Sequence, residues 1–493
     1  MARIKSNLQR IFYPSFDGGL NLSVPPESMS RNELKEAVNV EYSSSTGAMT
    51  VRGGLFHHCQ TGIYADSVAA LPGRRGFLIR GHFISGGQRL ELVRLFTWNR
   101  WEEVSGSLTG NGKISVCEWD GYYLVASGGK LQKLRTRNSF TLETIESSPP
   151  RCVQVFVKSG RVGVVTEENI IRFSGVGDCE TWENDPQDDS SGQYLEVGYK
   201  DGMNIDAVIP LSRDLIVFKS PNNEPDKGTI FRITGDYPEW AVLEAAHNTG
   251  TFSARSVQAI GNDVYYGTVS GVASLSAVTS YGEIQATWPD RKVSAVLSRI
   301  MSADAELWSV PVKQQLWVKP HAGSKEVWVL DYGRGIWTKF EYSGEVIYAD
   351  GSDDSVYVFI GTSVYEQVDG KVTDTNDVGK EQAITARMKM GTLLTGNQVL
   401  IRRAFVSFGI EPECRAELRL GGFRMQFSHD TTPDYVCDND IEVYEKDENI
   451  GGEVKAVTSR RECIVRDWSI TPEVILTGGG CSLSTMGLEI SEV

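Results

Sequence analysis

The chain has 493 residues, which is enough for two to four domains or for one large repeat architecture with appendages. Apolar residues make up 40% of it, which excludes a disordered chain, and its 50 glycines, 11 tryptophans and 18 tyrosines favour many short strands joined by tight turns. The formal net charge of −15 argues against a protein that wraps duplex DNA, because phosphate contacts need Lys and Arg.

The cysteines and the apolar runs indicate the cellular compartment in which the chain is expected. The eight cysteines lie far apart without a C-x-x-C pair, so neither a zinc site nor a dense disulfide framework is indicated, and we expect reduced, mostly buried thiols. No apolar run approaches the roughly 18 residues of a membrane span, and the first residues lack the apolar core of a signal peptide. We therefore expect a chain made in the cytosol, or built into something assembled there.

The first predicted element is a short helix near the N-terminus. Ser30 and Glu33 form an S-x-x-E capping box, and Leu34, Ala37 and Val38 follow at the i, i+3, i+4 spacing of one helix face. This pattern predicts a helix of about two to three turns.

A hairpin follows this helix. The stretch NVEYSSSTGAMTV predicts strand, turn and strand, with Gly47 supplying the positive φ of the turn. A helix plus a hairpin is too small to bury its own apolar face, so residues 1–60 are predicted to form an arm that docks on something else. The candidate docking residues are Phe16, Leu20, Leu34, Val38 and Arg52.

The middle of the chain repeats one unit of two strands joined by a polar or glycine-containing turn. Its copies begin near Phe77, Tyr122, Val162, Leu215, Val264, Leu316 and Val356. Intervals of about 40–53 residues are those of four-stranded propeller blades. Residues 61–375 are therefore predicted to form a β-propeller of about seven blades, with six or eight also compatible with the spacing. Aromatic side chains of this repeat are expected to pack between blades: Trp101, Trp182, Trp240 and Trp337.

The pattern changes after the polar, turn-rich residues 371–382. Several later stretches, such as VLIRRAFVSFGI and CRAELRLGGFRMQFS, alternate apolar and polar residues with period two. Residues 376–493 are therefore predicted to form a separate antiparallel β-sandwich. The fold class predicted for the whole chain is all-β.

Catalytic, cofactor and metal motifs are not evident. The six histidines are scattered, and no nucleophile elbow or H-E-x-x-H motif is present, so we expect a protein that is not an enzyme and that carries no cofactor. Nine acidic residues between Asp178 and Asp206 face a single lysine, Lys200. Three hypotheses stay open for this acidic segment: a Ca²⁺ site, a functional negative surface, or a plain exposed loop.

The order of motifs resembles a phage protein family. The stretch from Phe16 to Gly54 contains FDGGLN, PPESM, EAVNVEY and TGAMTVRGG, and it is similar to the N-terminus of bacteriophage tail hub and nozzle proteins. These are also called packaged-DNA stabilisation proteins, and they belong to short-tailed phages and their relatives. GRVGVVTEENIIRFSGVGDCETW, followed by IDAVIPLSRDLIVFKS, resembles their central region. The resemblance covers roughly residues 10 to 370.

The resemblance implies a structural virion protein with a propeller body. Members of the family assemble as a ring, usually of six, below the portal and adaptor rings, and they extend the DNA channel. The expected partners are other copies of the chain, portal and adaptor proteins, distal needle, spike or fibre proteins, and the double-stranded DNA that passes during ejection. The expected location is the virion tail, assembled in the bacterial host cytoplasm, with a role in retaining the packaged genome.

Two further expectations follow from the acidic charge and from the propeller. A channel with negatively charged walls would let DNA slide through without binding its phosphates. Three acids of the acidic segment are therefore the candidate channel-lining residues: Asp185, Asp188 and Asp189. The alternative hypothesis is a carbohydrate-binding or glycan-cleaving propeller that acts as a receptor-binding tail protein.

Overall fold

The computed structural model of the chain describes residues 8–73, 76–97, 100–136, 140–166, 169–222, 224–278, 283–351, 354–376, 378–429, 443–444 and 455–492. These residues form almost only β-strands, with a single α-helix, α1 (Ser294–Ile300), and 3₁₀ turns at Pro26–Ser28, Pro225–Lys227, Ala254–Ser256 and Pro311–Lys313. The all-β prediction is confirmed. Among the described residues, no helix has the length and the hydropathy that a membrane crossing requires.

The N-terminal part of the chain contributes five strands before the propeller begins. They are β1 (Leu8–Tyr13), β2 (Gly19–Leu20), β3 (Glu33–Val38), β4 (Val40–Ser43) and β5 (Ala48–Val51). β4 and β5 form the predicted hairpin, and Gly47 in its turn has a φ of 68°. The next strand, β6 (Gly54–Gln60), belongs to the propeller.

The propeller has seven four-stranded blades. Blade 1 contains β7 (Tyr64–Ala70), β8 (Gly76–Ser85), β9 (Gln88–Thr97) and β10 (Arg100–Glu103). Blade 2 contains β11 (Ser115–Trp119), β12 (Tyr122–Ala126), β13 (Gln132–Arg135) and β14 (Thr141–Thr144). Blade 3 contains β15 (Cys152–Lys158), β16 (Arg161–Thr166), β17 (Ile170–Phe173) and β18 (Gln193–Glu196). Blade 4 contains β19 (Asn204–Leu211), β20 (Asp214–Ser220), β21 (Thr229–Thr234) and β22 (Ala241–His247).

The remaining blades follow in the same way. Blade 5 contains β23 (Val257–Ile260), β24 (Asp263–Thr268), β25 (Gly271–Val278) and β26 (Glu283–Thr287). Blade 6 contains β27 (Glu306–Val310), β28 (Gln315–Lys319), β29 (Glu326–Asp331) and β30 (Ile336–Glu341). Blade 7 contains β31 (Val346–Asp350), β32 (Val356–Ile360) and β33 (Ser363–Val368), and β6 is its outermost strand.

The repeat seen in the sequence corresponds to the middle of each blade. Every predicted unit start lies in the second strand of a blade, and the unit continues into the third. The first strands line the centre and contact one another in succession, and the contact of β31 with β7 closes the ring. The four tryptophans that were expected to pack between blades all lie in hydrophobic clusters. The prediction of about seven blades is confirmed.

The described residues of the C-terminal part add ten strands. They are β34 (Thr373–Thr375), β35 (Glu381–Ala383), β36 (Thr385–Met390), β37 (Leu393–Ile410), β38 (Arg415–Leu420), β39 (Phe423–Ser428), β40 (Val443–Tyr444), β41 (Lys455–Ile470), β42 (Pro472–Thr477) and β43 (Cys481–Glu492). Sheet I of the sandwich has the order β4-β5-β43-β37-β41-β40, with β1 also paired to β43. Sheet II has the order β3-β36-β42-β38-β39, and it continues through β3 into blade 6.

The predicted N-terminal helix is wrong, because the residues that should form it are strand β3. Strand β3 pairs with β36 over Leu34–Val38, and its register shifts between Leu34 and Glu36. Such a bulge adds one residue, so Leu34 and Ala37, three apart, both reach the core from an extended strand. The capping-box residues form a turn instead, in which the Ser30 amide donates to Oε2 of Glu33 at 3.2 Å.

The division of the chain at residues 60 and 376 also needs correction. Residues 8–51 do not form a separate arm, because β1, β3, β4 and β5 are strands of the two sandwich sheets and β6 completes blade 7. The sandwich is thus built from both ends of the chain, and it shares one sheet with the propeller. The N-terminal strands bury their apolar side chains against the C-terminal strands in a common core.

Candidate functional site

The joint between the propeller and the sandwich centres on a buried arginine. The guanidinium of Arg52, 1% exposed, donates through Nη1 to Oδ1 of Asp374 at 3.0 Å and through Nη2 to Oδ2 at 2.6 Å. Its Nε donates to Oδ1 of Asn39 at 3.2 Å, and its Nη2 to the Glu341 carbonyl at 3.3 Å. The Tyr342 ring lies 4.7 Å from the guanidinium carbon. One side chain therefore ties together the N-terminal strands, blade 6 and the linker strand β34.

Electrostatics favour the charged form of this arginine. Burial alone would lower the pKa of Arg52, but the hydrogen bonds and charge of Asp374 outweigh it, and the pKa lies above its ordinary value. The fork of a guanidinium matches both oxygens of a carboxylate, which a lysine cannot do.

A second ion network lies beside this joint. The ammonium of Lys313 contacts Oε1 of Glu41 at 2.9 Å and Oδ1 of Asp369 at 2.6 Å. Burial would lower the pKa of Lys313, but these two carboxylates raise it above its ordinary value. This network joins the hairpin β4–β5 to the turn before β28 and to the end of blade 7. It lies in the wall of a cleft of about 650 Å³.

The five candidate docking residues are buried inside the chain. Phe16 and Leu34 are 0% exposed, and Leu20, Val38 and Arg52 are each almost fully buried. The four apolar side chains lack the exposed face that docking on a neighbour requires, because strands of the same chain already cover them. The docking role inferred for these residues is therefore wrong, and the stretch from Phe16 to Gly54, here called the cassette, is an internal joint.

The three candidate channel-lining acids occur together in one exposed loop. Asp185, Asp188 and Asp189 lie between β17 and β18, the third and outermost strands of blade 3. Oδ1 of Asp185 accepts from the Gln187 amide at 2.9 Å, and Oδ1 of Asp188 accepts from the Ser190 amide at 2.9 Å. The loop is thus at the rim of the propeller, so any channel that it lines is one formed between subunits.

Arg161 holds this loop from beneath. Its Nη1 donates to the carbonyls of Ser174 at 2.7 Å and Ser191 at 2.5 Å, and its Nη2 donates to the carbonyl of Asp189. Arg161 is 5% exposed, and burial lowers its pKa. The buried positive charge therefore contacts the backbone of the loop and leaves the acidic side chains facing water.

Three other acids of the segment have surroundings that differ from one another. Glu180 is paired with Lys133, and Asp201 is paired with the buried Lys219 at 2.8 Å. Burial raises the pKa of Asp206 to about 7. Within the described ranges, no three His, Cys, Asp or Glu side chains are arranged as a set of metal ligands.

The central hole of the propeller is bridged by side chains. Arg255, at the start of blade 5, donates across the hole to the Val68 carbonyl and to Oγ of Ser67 in blade 1, each at 2.9 Å. Lys113, before blade 2, contacts Oε1 of Glu306 in blade 6 at 3.2 Å. These contacts join opposite blades, so side chains of one subunit span the hole at this end.

Sequence reasoning missed Asp374, Arg161 and Arg255. Asp374 lies in a stretch that was interpreted only as a polar linker, and its partner is more than 300 residues away. Arg161 and Arg255 bind backbone carbonyls. Because every residue has a backbone carbonyl, the sequence does not indicate which ones accept these hydrogen bonds. An arginine beside the Gly-Gly pair at positions 53–54 was the one available signal, and it did point to Arg52.

Comparison with known proteins yields a likeness of fold only. No family model matches the chain, and no curated protein sequence matches it. Among solved structures, the chain is similar to a chain of the mitotic checkpoint complex, with 11% identity over 65% of this chain and 92% of that chain (TM-score 0.42). It is also similar to the WD40 β-propeller domain of Doa1 (13%, 65% and 96%, TM-score 0.38) and to BBS1N in complex with ARL6DN (12%, 64% and 96%, TM-score 0.37). The strand order of the structure itself defines the chain as a β-propeller joined to a β-sandwich.

Proposed function

We propose that the chain is a structural, non-enzymatic subunit of a bacteriophage tail hub or nozzle. Six copies of the chain would form a ring below the portal and adaptor rings. The ring would extend the DNA channel toward the distal needle, spike or fibre proteins, and it would help to retain the packaged genome until ejection. Its location would be the virion tail, after assembly in the host cytoplasm.

The observation that carries this proposal is the position of the cassette. The residues that resemble the phage family, from Phe16 to Gly54, are the ones that join blade 6, blade 7 and both sandwich sheets. A subunit that holds pressurised DNA needs a rigid joint between its parts. Pairing of β3 with β30 and β36, and of β5 with β43, supplies that rigidity, because strands of the cassette are held in both sandwich sheets and against blade 6.

The bridged hole of the propeller supports a DNA path outside the single subunit. Arg255 and Lys113 bridge opposite blades, so we propose that a duplex runs through the opening of the ring. In this arrangement the loop with Asp185, Asp188 and Asp189, which projects from the propeller rim, is available to face the shared opening.

The test is a phage genome from which the gene for this chain has been deleted, complemented in trans. Particles assembled without the protein should package DNA and then lose it, which a nuclease-protection assay measures, and complementation with the wild-type chain should restore retention. Particles that keep their DNA would refute the proposal. If such particles kept their DNA but failed to adsorb to cells, the receptor-binding alternative would replace it.

A further inference from the structure

Two turns that cross between the sheets of the sandwich lie side by side. Residues 411–414 lead from β37 in sheet I to β38 in sheet II, and residues 478–480 lead from β42 in sheet II back to β43 in sheet I. The Glu411 amide donates to the Gly480 carbonyl at 3.2 Å and so joins the two turns. Cys414 ends the first turn and Cys481 follows the second.

The two cysteines lie where these neighbouring turns meet their strands. The Cys481 thiol donates to the carbonyl oxygen of Arg415, the residue after Cys414, at 3.5 Å. Each cysteine is 1% exposed. The approach of the two turns depends on Gly478, since a Cβ at that position would lie 2.6 Å from Sγ of Cys414.

The surroundings make the two sulfurs unequal. The hydrogen bond from the Cys481 thiol, together with the Gly480 amide, holds the pKa of Cys414 below its ordinary value. The same hydrogen bond and burial raise the pKa of Cys481. Cys414 is thus the thiol that ionises first, and a thiolate is the form that attacks an oxidant or a disulfide.

The Cys481 side of this pair borders a cleft. The cleft of about 650 Å³ beside Lys313 is also lined by Glu411, Gly480 and Cys481. Its wall is polar, which suits a hydrophilic reagent the size of hydrogen peroxide.

We infer that Cys414 and Cys481 are a redox-active dithiol, which a peroxide converts to a disulfide that fastens the two sheet-crossing turns together. The Cys414 thiolate attacks one peroxide oxygen, the O–O bond breaks, and a sulfenic acid and hydroxide form. The sulfur of Cys481 then attacks the sulfenic sulfur, the S–O bond breaks, and the hydroxyl leaves as water after taking up a proton. In sum, two thiols and one hydrogen peroxide give one disulfide and two waters.

The disulfide would act on the joint with the propeller. The Gly479 amide of the second turn donates to the Val372 carbonyl at 3.1 Å, so the turn contacts the linker that leaves blade 7. Cross-linking residues 414 and 481 restricts the unfolded chain, which stabilises the folded sandwich. This inference does not depend on the proposed phage function.

Another cysteine pair in the chain provides an internal comparison. Cys117 and Cys179 lie near each other in one hydrophobic cluster, and Sγ of Cys179 is 3.1 Å from the hydroxyl of Tyr122. Burial raises the pKa of Cys117 to about 12, so it carries almost no thiolate at neutral pH. We therefore expect this pair to stay reduced under conditions that oxidise Cys414.

The experiment uses the full-length chain, reduced and freed of reductant. It is treated with one equivalent of hydrogen peroxide, its free thiols are blocked with N-ethylmaleimide, and its peptides are mapped by mass spectrometry without reduction. The expected result is a cross-linked peptide pair containing Cys414 and Cys481, which dithiothreitol separates. The melting temperature should rise by several degrees on oxidation and return on reduction.

Three variants complete the test. Cys414→Ser and Cys481→Ser should each abolish the cross-link and the rise in melting temperature, whereas Cys59→Ser, which removes a cysteine in blade 7, should leave both intact. A cross-link between Cys117 and Cys179 in its place would overturn the inference, and so would Cys414 and Cys481 both remaining free. The peptide map of the wild-type chain decides the matter even if a serine variant fails to fold.

Discussion

Arg52 and Asp374 form a two-pronged ion pair across 322 positions of the chain, with distances of 3.0 and 2.6 Å between their nitrogen and oxygen atoms. The pair fixes the end of the cassette to the linker that leaves the propeller. Because Leu55 also donates its amide to Oδ1 of Asp374 at 3.0 Å, the same carboxylate holds the first residues of blade 7's outer strand.

The first prediction concerns this ion pair. Replacing Arg52 by methionine keeps much of the volume but removes the positive charge beside Asp374, which keeps the Leu55 amide as a donor, and removes the donor to the Gly53 and Glu341 carbonyls. Removing one partner of a buried pair costs about 3–5 kcal/mol, so the melting temperature should fall clearly. The measurement is thermal unfolding followed by circular dichroism.

The control for this variant is an ion pair on the surface. Arg135 and Glu143 are paired at 2.9 Å, and both side chains are about half exposed. Arg135→Met should leave the melting temperature almost unchanged. Equal effects of the two substitutions would mean that the joint does not depend on Arg52.

The second prediction concerns truncation. A chain that begins at residue 54 keeps β6 and the seven blades but lacks β1 to β5, whose side chains form part of the sandwich core. Its residues 376–493 should become sensitive to protease, because apolar side chains such as Met388 and Leu488 lose their cover. Limited proteolysis with mass spectrometry measures this, and a chain lacking only residues 1–7 is the control. A truncated chain with an unchanged cleavage pattern would disprove the internal role of the cassette.

The sequence allowed much of the propeller to be predicted, because a blade is a local unit. Four strands of a blade follow one another within about 50 residues, so spacing alone reveals them. The sandwich was predicted only in its C-terminal half. The missing strands lie more than 300 residues away at the other end of the chain, and no local pattern records such a pairing.

The helix predicted at Leu34 failed for a related reason. Buried residues spaced three and four apart distinguish a helix from a strand only if the strand has no bulge, because a regular strand buries every second residue. The bulge in β3 changes this spacing. The segment is extended because it pairs with β36, a strand that is distant in the sequence. Arg52 was chosen from the sequence as a docking residue and not as a residue of an internal joint, and its partner Asp374 became visible only once distant strands were paired.

The third prediction concerns pH. Burial raises the pKa of Asp206 from its ordinary value of 3.8 to about 7. The folded state thus binds this proton more tightly than the unfolded state, so the stabilising effect is complete below pH 3.8 and is lost as the pH rises through 7. Asp206→Asn should therefore stabilise the protein by a few kcal/mol above pH 7, at about 1.4 kcal/mol per unit of pKa shift, and by almost nothing near pH 4.

This pH effect is measured as the difference in melting temperature between variant and wild type from pH 4 to pH 8. The exposed Asp304 provides the control, and Asp304→Asn should show no trend over that range. A stabilisation by Asp206→Asn that does not grow with pH would contradict the assigned burial effect.

The fourth prediction rests on the proposed function and concerns the exposed acids of blade 3. Replacing Asp185, Asp188 and Asp189 together by lysine should leave the ring and the particle intact, because all three side chains face water. If they line the opening, the added positive charge binds phosphate and slows ejection, most strongly at low salt. Ejection is followed with a DNA-binding dye after triggering.

The control for charge reversal is placed elsewhere on the rim. Glu143 lies in β14, the outermost strand of blade 2, and Glu146 follows that strand. Replacing both by lysine changes the net charge in the same direction. Slower ejection in both variants would indicate a general charge effect, and unchanged ejection in the blade 3 variant would show that those acids do not line the path.

Electron cryomicroscopy of the purified full-length chain tests the proposed ring. We expect closed rings, with each propeller joined to its sandwich through the cassette and with an opening between the subunits that admits duplex DNA. Single propellers that remain monomeric at micromolar concentration and on added portal–adaptor complexes, or rings whose opening is too narrow for a duplex, would contradict this proposal.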